Sequence, residues 1–353
     1  MYIYLHTHRE GVYVCVHIGV GFSVACSELR AIPGPRIAEQ QQCSPAFLCP
    51  FVWFIKKHKM DNIMPRNNTP VISIIVCSQD KHLQPRLNSN IEMTIGIDFE
   101  LIYIYNENNQ YSIFEAYNIG VERAKGKILC FQHNDIEYLS MNWGVHVEKL
   151  LSSPYVDACA VAGANYIRKS PSYYPIGKGY NVINLVQKTS KGDIEWHEFD
   201  EPTPMIVFDG LWFCIKKECF SKIHFDSKLY KGFHFYDIDI STQLITHGYK
   251  IVGIPNVKIK NNSGGVTNSI WLKNSFLYAK KWKNVLPLSC NEIDTKSAII
   301  LEYKALYSAF RGIIIKRQFH LLGTWFHFAM DICNAGPLYS LVIIFLSHKK
   351  YYQ

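Results

Sequence analysis

The central part of the chain switches between two hydrophobic periods, and each switch predicts a change from strand to helix. Residues 71–76 (VISIIV) and 99–105 (FELIYIY) are short apolar runs of the buried-strand type. Between them Leu87, Ile91 and Ile95 recur at i, i+4 and i+8, which is the spacing of a short helix. The pattern therefore predicts parallel strands joined by a right-handed crossover.

A second helix is predicted to begin near Ile113, because Ser112 and Glu115 have the spacing of a capping box. Its apolar stripe recurs at i, i+3, i+7 and i+10 and consists of Phe114, Tyr117, Val121 and Ala124. Gly126 would follow as the left-handed residue after the helix, and residues 128–131 (ILCF) would return the chain to the sheet. Three strands would then end at one edge, where open α/β sheets bind ligands.

The hydrophobic pattern is less regular after residue 135, so the elements are harder to assign. Residues 157–163, 205–215 and 250–260 have strand character, whereas residues 164–204 are rich in Tyr, Gly, Pro and Ser and indicate long loops. A further helix is expected to start at Asp237 and to close at Gly248.

Both ends of the chain differ from the centre and predict three regions: 1–69, 70–265 and 266–353. We expect residues 1–69 to be a poorly structured or spurious extension, because they show no sustained period and Met60 and Met64 could each initiate the native chain. Residues 271–282 and 299–315 predict amphipathic helices, and the apolar segment 335–346 is too short to span a bilayer. A helical cap on the central domain and an interfacial helix at a membrane surface are the two alternatives.

Composition narrows the class of protein. The 353 residues are 48% hydrophobic and 14% aromatic, which favours a packed globular protein. The net charge of +8 suits anionic substrates or an acidic membrane surface, but the basic residues are dispersed and no nucleic-acid motif is present, so no nucleic-acid partner is expected. Eleven cysteines without a C-x-x-C pair indicate reduced thiols and a cytoplasmic location.

Residues 116–135 (AYNIGVERAKGKILCFQHND) resemble a segment of the family 2 glycosyltransferases, roughly A-R-N-x-G-x-x-x-A-x-G-x-x-(apolar)-x-F-x-D-x-D. The resemblance extends more weakly over residues 71–265, and the His-x-Asp form of the acidic motif is similar to the branch typified by the StrF domain of streptomycin biosynthesis. It implies an α/β fold of the GT-A type, with a mainly parallel central sheet flanked by helices. Here a C-terminal helical extension would follow.

The resemblance also implies a nucleotide-sugar site at the predicted sheet edge. Asp135 aligns with the last aspartate of the acidic motif, which holds a divalent cation (Mn2+ or Mg2+) and the nucleotide, and His133 replaces the first. Ser78, Asn106 and Asn118 fall where the family contacts the nucleotide, and a UDP-sugar is the expected donor. From the residues alone, the alternative for Ser78, Asn106 and Asp135 is that they are turn formers at strand ends.

Acceptor-side chemistry is implied by residues 232–241 (GFHFYDIDIS), which resemble a block of the form G-x-E-D-x-D. Asp237 is then the general base that deprotonates the acceptor hydroxyl. Asp239 and Trp212 fall on the acceptor side, although Asp239 also suits a helix cap and Trp212 a buried strand position. Two further departures are Tyr236, in place of the usual Glu, and Asn262, where relatives carry a nearby His.

The sequence thus predicts a hexosyltransferase-like enzyme that moves a sugar from a nucleotide to a hydroxyl of a saccharide or lipid-linked glycan, with inversion, as in polysaccharide biosynthesis. A non-catalytic domain that binds a sugar nucleotide or glycan is the alternative. A nucleotidyltransferase is disfavoured, since no Gly-rich phosphate loop follows residues 71–76. The enzyme would be cytoplasmic, with peripheral membrane contact through its C-terminal region left open.

Overall fold

A computed structural model describes residues 2–8, 11–17, 70–172, 177, 179–265 and 267–333. The chain divides into two compact units, Met1–Met64 and Pro65–Gln353. In the first unit, strands β1 (Tyr2–His8) and β2 (Gly11–His17) form an antiparallel hairpin that the sequence pattern did not predict. The remainder of the predicted extension, with both candidate initiators, lies outside the described residues.

The second unit alternates strands and helices. Its strands are β3 (Ile72–Ser78), β4 (Phe99–Tyr105), β5 (Ile128–Gln132), β6 (Ile136–Tyr138), β7 (Ala158–Ala160), β8 (Ala162–Ala164), β9 (Tyr166–Ile167), β10 (Asn181–Thr189), β11 (Gly192–His197), β12 (Thr203–Met205), β13 (Val207–Phe208), β14 (Trp212–Lys216), β15 (Ile251–Gly253), β16 (Ile259–Asn261) and β17 (Leu288–Ser289). Its α-helices are α1 (Gln84–Thr94), α2 (Ile113–Arg123), α3 (Trp143–Leu151), α4 (Tyr236–Thr246), α5 (Ser269–Lys281), α6 (Thr295–Ile315) and α7 (Leu322–Cys333).

Seven strands form the central sheet, in the order β12-β15-β7-β14-β5-β3-β4. As predicted, β3 is parallel to both β4 and β5, so the three strands end at one edge. The sheet as a whole is mixed, because β14 runs antiparallel to β5 and β7, and β12 to β15. Helices flank this sheet, and the predicted α/β fold class is confirmed.

Each face of the central sheet is covered by a separate apolar core. Helices α2 and α4 pack on one face, with Phe114 and Tyr117 from the predicted stripe fully buried. Helices α1 and α3 pack on the other, where Leu87 and Ile91 are buried beside Trp143. The predicted capping box is present at α2, since the Ser112 hydroxyl accepts from the backbone N–H of Glu115 and the Glu115 carboxylate accepts from that of Ser112. Local sequence therefore fixes where this helix begins.

The predicted role of Gly126 is wrong. Helix α2 ends at Arg123, and Gly126 is not among the residues with positive φ. Its backbone N–H donates to the Ser73 hydroxyl, and a Cβ on Gly126 would lie 2.7 Å from the backbone nitrogen of Ser73. Glycine is required here because the chain passes close to β3 as it enters β5, whereas the left-handed turn after α4 does occur at Gly248.

The interpretation of residues 164–204 as long loops is also wrong. This segment contains β9, which pairs with β17, and the hairpin of β10 and β11. The hairpin belongs to a second sheet in which β13, β8, β10, β16 and β6 follow one another. Val182 and Leu185 are buried on β10, so the strand has the apolar positions it needs. The turn residues at both ends of β10 obscured them in the sequence.

Helices α5, α6 and α7 share a core of their own, built around Leu272, Phe276, Leu306 and Phe328. They provide the predicted C-terminal helical region as far as residue 333, and the apolar segment 335–346 lies outside the described residues. No helix in the described part of the chain has the length and hydrophobicity required to cross a bilayer.

Candidate functional site

A cavity of about 560 Å³ opens at the edge where β3 and β5 end. Its wall combines that edge with the loop before β14, the start of α4 and the segment after β16. The polar and titratable side chains in the lining include Cys77, His133, Asn134, Gln187, Asp209, His234, Tyr236, Asp237 and Asn261. The two motifs singled out in the sequence, residues 133–135 and 232–241, therefore meet at one site.

Asp237 lies in the first turn of α4 with 8% of its surface exposed. Its Oδ2 accepts a hydrogen bond of 2.8 Å from the backbone N–H of Gly210. Burial, followed by the negative charge of Asp209, raises the pKa of Asp237 to about 7. A carboxylate with this pKa exchanges a proton near neutral pH, as a general base must.

The backbone before Asp237 is strained. Phe235, the residue that precedes α4, has a φ of 73°, a left-handed conformation that bulky side chains rarely adopt. Its buried ring packs against Trp271 and Tyr278 of α5, at centroid distances of 5.8 and 5.7 Å. This packing compensates the strain, and the resulting bend sets the start of α4 against the cavity.

Tyr236 connects three parts of the site. Its hydroxyl donates to the carbonyl of Gly210 at 3.0 Å and lies 3.1 Å from Nε2 of His133. A hydroxyl has a single proton, so the contact with His133 requires Nε2–H as the donor. While it persists, only Nδ1 of His133 is available to a metal ion.

Gly210 is the residue on which these contacts converge. It donates to Asp237 through its N–H and accepts from Tyr236 through its carbonyl. A Cβ at this position would lie 2.1 Å from the Tyr236 hydroxyl, so only glycine fits. Asp209, one residue earlier, is half-buried and accepts from the backbone N–H of Leu211 at 2.8 Å.

The nucleotide residues predicted at the strand ends have different positions. Ser78 is buried and accepts a 2.8 Å hydrogen bond from the side-chain amide of Asn134, so it contributes to the cavity wall through that residue. Asn106 is fully buried, and its amide pairs with the backbone N–H and C=O of Tyr111. In this conformation the Asn106 side chain holds its own loop and is not presented to a nucleotide.

Asn118 has a structural role as well. Its amide donates to the carbonyl of Phe225 and accepts from the N–H of the same residue, at 2.8 and 3.1 Å. These two bonds tie α2 to a loop 107 residues further along the chain. Asn118 is not among the residues that line this cavity, and the nucleotide contact that the resemblance implies for it stays a prediction.

Both predicted acceptor-side residues are in the interior. Trp212 is 0% exposed and donates from Nε1 to the hydroxyl of Tyr138, so it cannot stack on a sugar in this conformation. Asp239 is 1% exposed and is bonded by the Lys281 ammonium and the Trp282 indole, at 2.9 and 2.8 Å. As the helix-cap alternative predicted, Asp239 lies in the first turn of α4, and its contacts also join α4 to α5.

Asp135 follows the cavity-lining pair His133 and Asn134 and is half-buried. Its backbone carbonyl accepts from the Asn262 side chain at 2.9 Å, while its carboxylate makes no hydrogen bond or ion pair with the described residues. Within the described part of the chain, no three His, Cys, Asp or Glu side chains converge as a metal cage. Mg2+ and Mn2+ are commonly held by one or two carboxylates and completed by phosphate oxygens and water, and Asp135 fits that mode.

Residues 208–212 resemble the family segment that lines the acceptor side of the cleft, but from this segment sequence reasoning selected Trp212 and gave no role to Asp209 or Gly210. Residues 205–215 were interpreted as one strand, whereas the structure has two strands with a turn between them. The Asp-Gly dipeptide is itself a turn signal and could have divided the run.

Comparisons with known proteins identify the family of this chain. The model of the family described as "Glycosyltransferase like family" matches residues 73–272, more than half of the chain. No curated protein matches the sequence.

Similar solved structures include GalNAc-T7 with UDP, GalNAc and Mn2+, at 15% identity over 61% of this chain and 48% of that chain, with a TM-score of 0.42. The present chain thus spans about half the length of that structure. A second is S. aureus TarS 1-349 with UDP-GlcNAc, at 11% identity over 75% of this chain and 81% of that chain, with a TM-score of 0.47. A third is the mannosyltransferase PcManGT from Pyrobaculum calidifontis with GDP-Man and Mn2+, at 12% identity over 85% of this chain and 87% of that chain, with a TM-score of 0.41. On the match over residues 73–272, the chain belongs to the glycosyltransferase-like family.

Proposed function

We propose that this chain is an inverting, hexosyltransferase-like enzyme that transfers a sugar from a nucleotide donor, most simply a UDP-sugar, to a hydroxyl of a saccharide or lipid-linked glycan. One observation carries the proposal: Asp237, a buried carboxylate with a pKa of about 7, lines the same cavity as His133 and Asn134 at the carboxyl ends of the strands. Ligands bind at this edge in open α/β sheets. Membership of the family supplies the reaction class.

In the proposed reaction, the ionised Asp237 accepts the proton of the acceptor hydroxyl as that oxygen attacks the anomeric carbon. The new bond forms while the bond from that carbon to the diphosphate breaks, and the diphosphate leaves with the electron pair. One displacement inverts the configuration. The N–H of Gly210 fixes the orientation of the base, since it donates to the Asp237 carboxylate.

A divalent cation, Mn2+ or Mg2+, would be held by Asp135 together with the donor's phosphates. Bound there, it would stabilise the charge that develops on the leaving diphosphate. His133 would contribute only through Nδ1, because Nε2 faces the Tyr236 hydroxyl.

The first experiment is an assay of UDP release from a panel of UDP-sugars with Mn2+, with and without oligosaccharide acceptors. The proposal requires acceptor-dependent release that is lost in Asp237→Asn, while this variant still binds the donor in a thermal-shift assay. Glu122→Gln, which changes an exposed carboxylate on α2, is the matched control. Wild-type turnover by Asp237→Asn would refute the assignment.

A non-catalytic sugar-nucleotide or glycan-binding domain is the second candidate. It is favoured by the side chains of Asn106 and Asn118, which are used within the protein and so leave fewer contacts for a donor. Selective stabilisation by a nucleotide sugar, with neither hydrolysis nor transfer under Mn2+ or Mg2+, would establish this alternative.

We also propose a cytoplasmic setting in polysaccharide biosynthesis and kinship with the StrF-type branch. The six cysteines whose side chains the structure describes are free thiols, which suits a reducing compartment. Peripheral contact with the cytoplasmic face of a membrane is supported by exposed Ile315, Phe319 and Phe326, which lie close in sequence to Arg317. Cosedimentation with anionic vesicles that is absent in Ile315→Ser/Phe319→Ser would test this contact.

A further inference from the structure

A second cavity, of about 650 Å³, lies between the loop 168–172 and helices α5 and α6. It borders the first, because Thr267 and Trp271 line both. Trp271 also packs against Phe235, the residue that positions the start of α4. A ligand in the second cavity would therefore reach towards the site that contains Asp237.

The second cavity is lined by positive charge. Among the residues that the structure describes, its lining includes four basic side chains and no acidic one, and the basic side chains are Arg168, Lys304, Arg311 and Lys316. On α6, Lys304 and Arg311 are seven residues apart and share one face with Ser308, so they lie about 10 Å apart along the helix. A concave surface with charge of one sign concentrates counter-ions.

The walls of the cavity are fixed to each other. Glu302 of α6 is buried and accepts hydrogen bonds from the backbone N–H groups of Lys169 and Ser170, at 2.7 and 2.8 Å. The Arg168 side chain is buried between these elements, and its Nε donates to the Ser172 hydroxyl at 3.2 Å. Lys316, at the end of α6, donates to the carbonyl of Thr267 at 2.6 Å.

These contacts give the cavity the features of a prepared anion site. Glu302 offsets part of the charge of Arg168 and holds the loop, while three further cations line the space. Guanidinium and ammonium groups bind phosphate through charge-assisted hydrogen bonds, which are the stronger class. The Trp271 indole at the boundary offers an apolar face of the kind that packs on a sugar ring.

From this arrangement we infer that the second cavity is the acceptor subsite and that the acceptor carries a phosphate or diphosphate group. The identification of the ligand as the acceptor rests on the proposed function, whereas the prediction that this cavity binds an anion does not. The phosphate would bind to Lys304, Arg311 and Arg168, and the hydroxyl to be glycosylated would extend past Trp271 towards Asp237. Phosphate on a lipid and phosphate within a soluble glycan share this chemistry.

The test uses the full chain in two titrations. UDP with Mn2+ is titrated first and reports only on the donor site; inorganic pyrophosphate is then titrated by calorimetry with UDP kept saturating. Three proteins are compared: wild type, the cavity variant Lys304→Gln/Arg311→Gln, and the control Lys280→Gln/Lys296→Gln. The control removes the same charge from exposed positions of α5 and α6 outside the cavity.

We expect the cavity variant to bind pyrophosphate roughly tenfold more weakly or worse, the control to bind within about twofold of wild type, and UDP binding to be equal in all three. Equal pyrophosphate affinities, or no binding by wild type, would overturn the inference. Failure of UDP to bind, with the pyrophosphate difference intact, would overturn the proposed donor site but leave the anion site standing.

A third arm identifies the carrier of the phosphate. Vesicles of phosphatidylcholine with 20 mol% phosphatidic acid and a soluble glycerol-phosphate oligomer are offered to the same three proteins at two salt concentrations. Selective loss of vesicle binding in the cavity variant assigns a lipid-borne phosphate, and selective loss of oligomer binding assigns a glycan-borne one. Equal losses in the cavity variant and the control would mean that only net charge matters, and would refute the subsite.

Discussion

Replacing Asp237 with Asn should abolish transfer and at the same time stabilise the fold in a pH-dependent way. The pKa of this carboxyl is 3.8 in its ordinary state and about 7 in the folded protein, where burial and then Asp209 disfavour the charge. A pKa raised on folding means that the folded state binds more protons between about pH 4 and pH 7. Stability is therefore lost as the pH rises through that window.

The size of the effect follows from the shift. At about 1.4 kcal/mol per pKa unit, the ionised carboxylate lowers the free energy of unfolding by about 4 kcal/mol at pH 8, and by under 2 kcal/mol at pH 5. Asn does not ionise, and its side-chain oxygen can still accept from the N–H of Gly210. The stability of Asp237→Asn relative to wild type should thus increase by about 3 kcal/mol from pH 5 to pH 8.

Urea unfolding of wild type, Asp237→Asn and the control Glu122→Gln at pH 5, 6, 7 and 8 measures this difference. Asp209→Asn adds a second check, because it removes the smaller cause of the raised pKa and should move the inflection of the pH–rate profile of transfer to lower pH. A difference in stability that does not change with pH would refute the account of Asp237 as a buried, high-pKa carboxylate. Normal transfer by Asp237→Asn would refute its catalytic role independently.

Three other variants test neighbouring claims. Tyr236→Phe leaves the carbonyl of Gly210 without its hydrogen-bond donor, and should lower the free energy of unfolding in urea by about 1–3 kcal/mol. It should also lower kcat more than it changes the KM for the nucleotide sugar. Tyr155→Phe, at an exposed position, is the control. Asp135→Asn should leave the melting temperature unchanged, since the carboxylate has no contact with a described residue to lose. It should weaken Mn2+-dependent UDP binding at least tenfold in calorimetry, and a large loss of stability would show a structural role instead. Lys281→Met should destabilise by about 3 kcal/mol through the unpaired charge of Asp239, with donor binding retained, and a neutral effect would contradict the role of that ion pair.

Sequence pattern was sufficient where structure is local. The capping box at Ser112 and the left-handed Gly248 each depend on residues within a few positions of one another. The first three strands were each visible as a local apolar run, although they pair with strands distant in sequence. The hairpin of β10 and β11 depends instead on pairing with β8 and β16. Apolar residues on β10 become buried only through that non-local pairing, and its turn-rich ends dominated the local pattern.

The predicted site residues also differ in whether local sequence could reveal their role. Asn106, Asn118, Trp212 and Asp239 are polar or aromatic at positions where a ligand contact was expected, but each has a partner inside the protein. The partners of three of them lie between 43 and 107 residues away, so residue type and local spacing could not reveal them. Asp237 was predicted because its neighbours in sequence carry the motif.

The departures at His133 and Tyr236 look like two independent losses in the sequence, but in the structure they form one contact across 103 residues. The family pattern would have acidic side chains at both positions. Carboxylates there would add like charges around Asp237, whose pKa is already raised by burial and by Asp209, and would disfavour its ionised form further. A histidine and a tyrosine joined by a hydrogen bond occupy these two positions without adding carboxylate charge near Asp237. The two replacements therefore act as one contact, and a test of either position has to change both residues together.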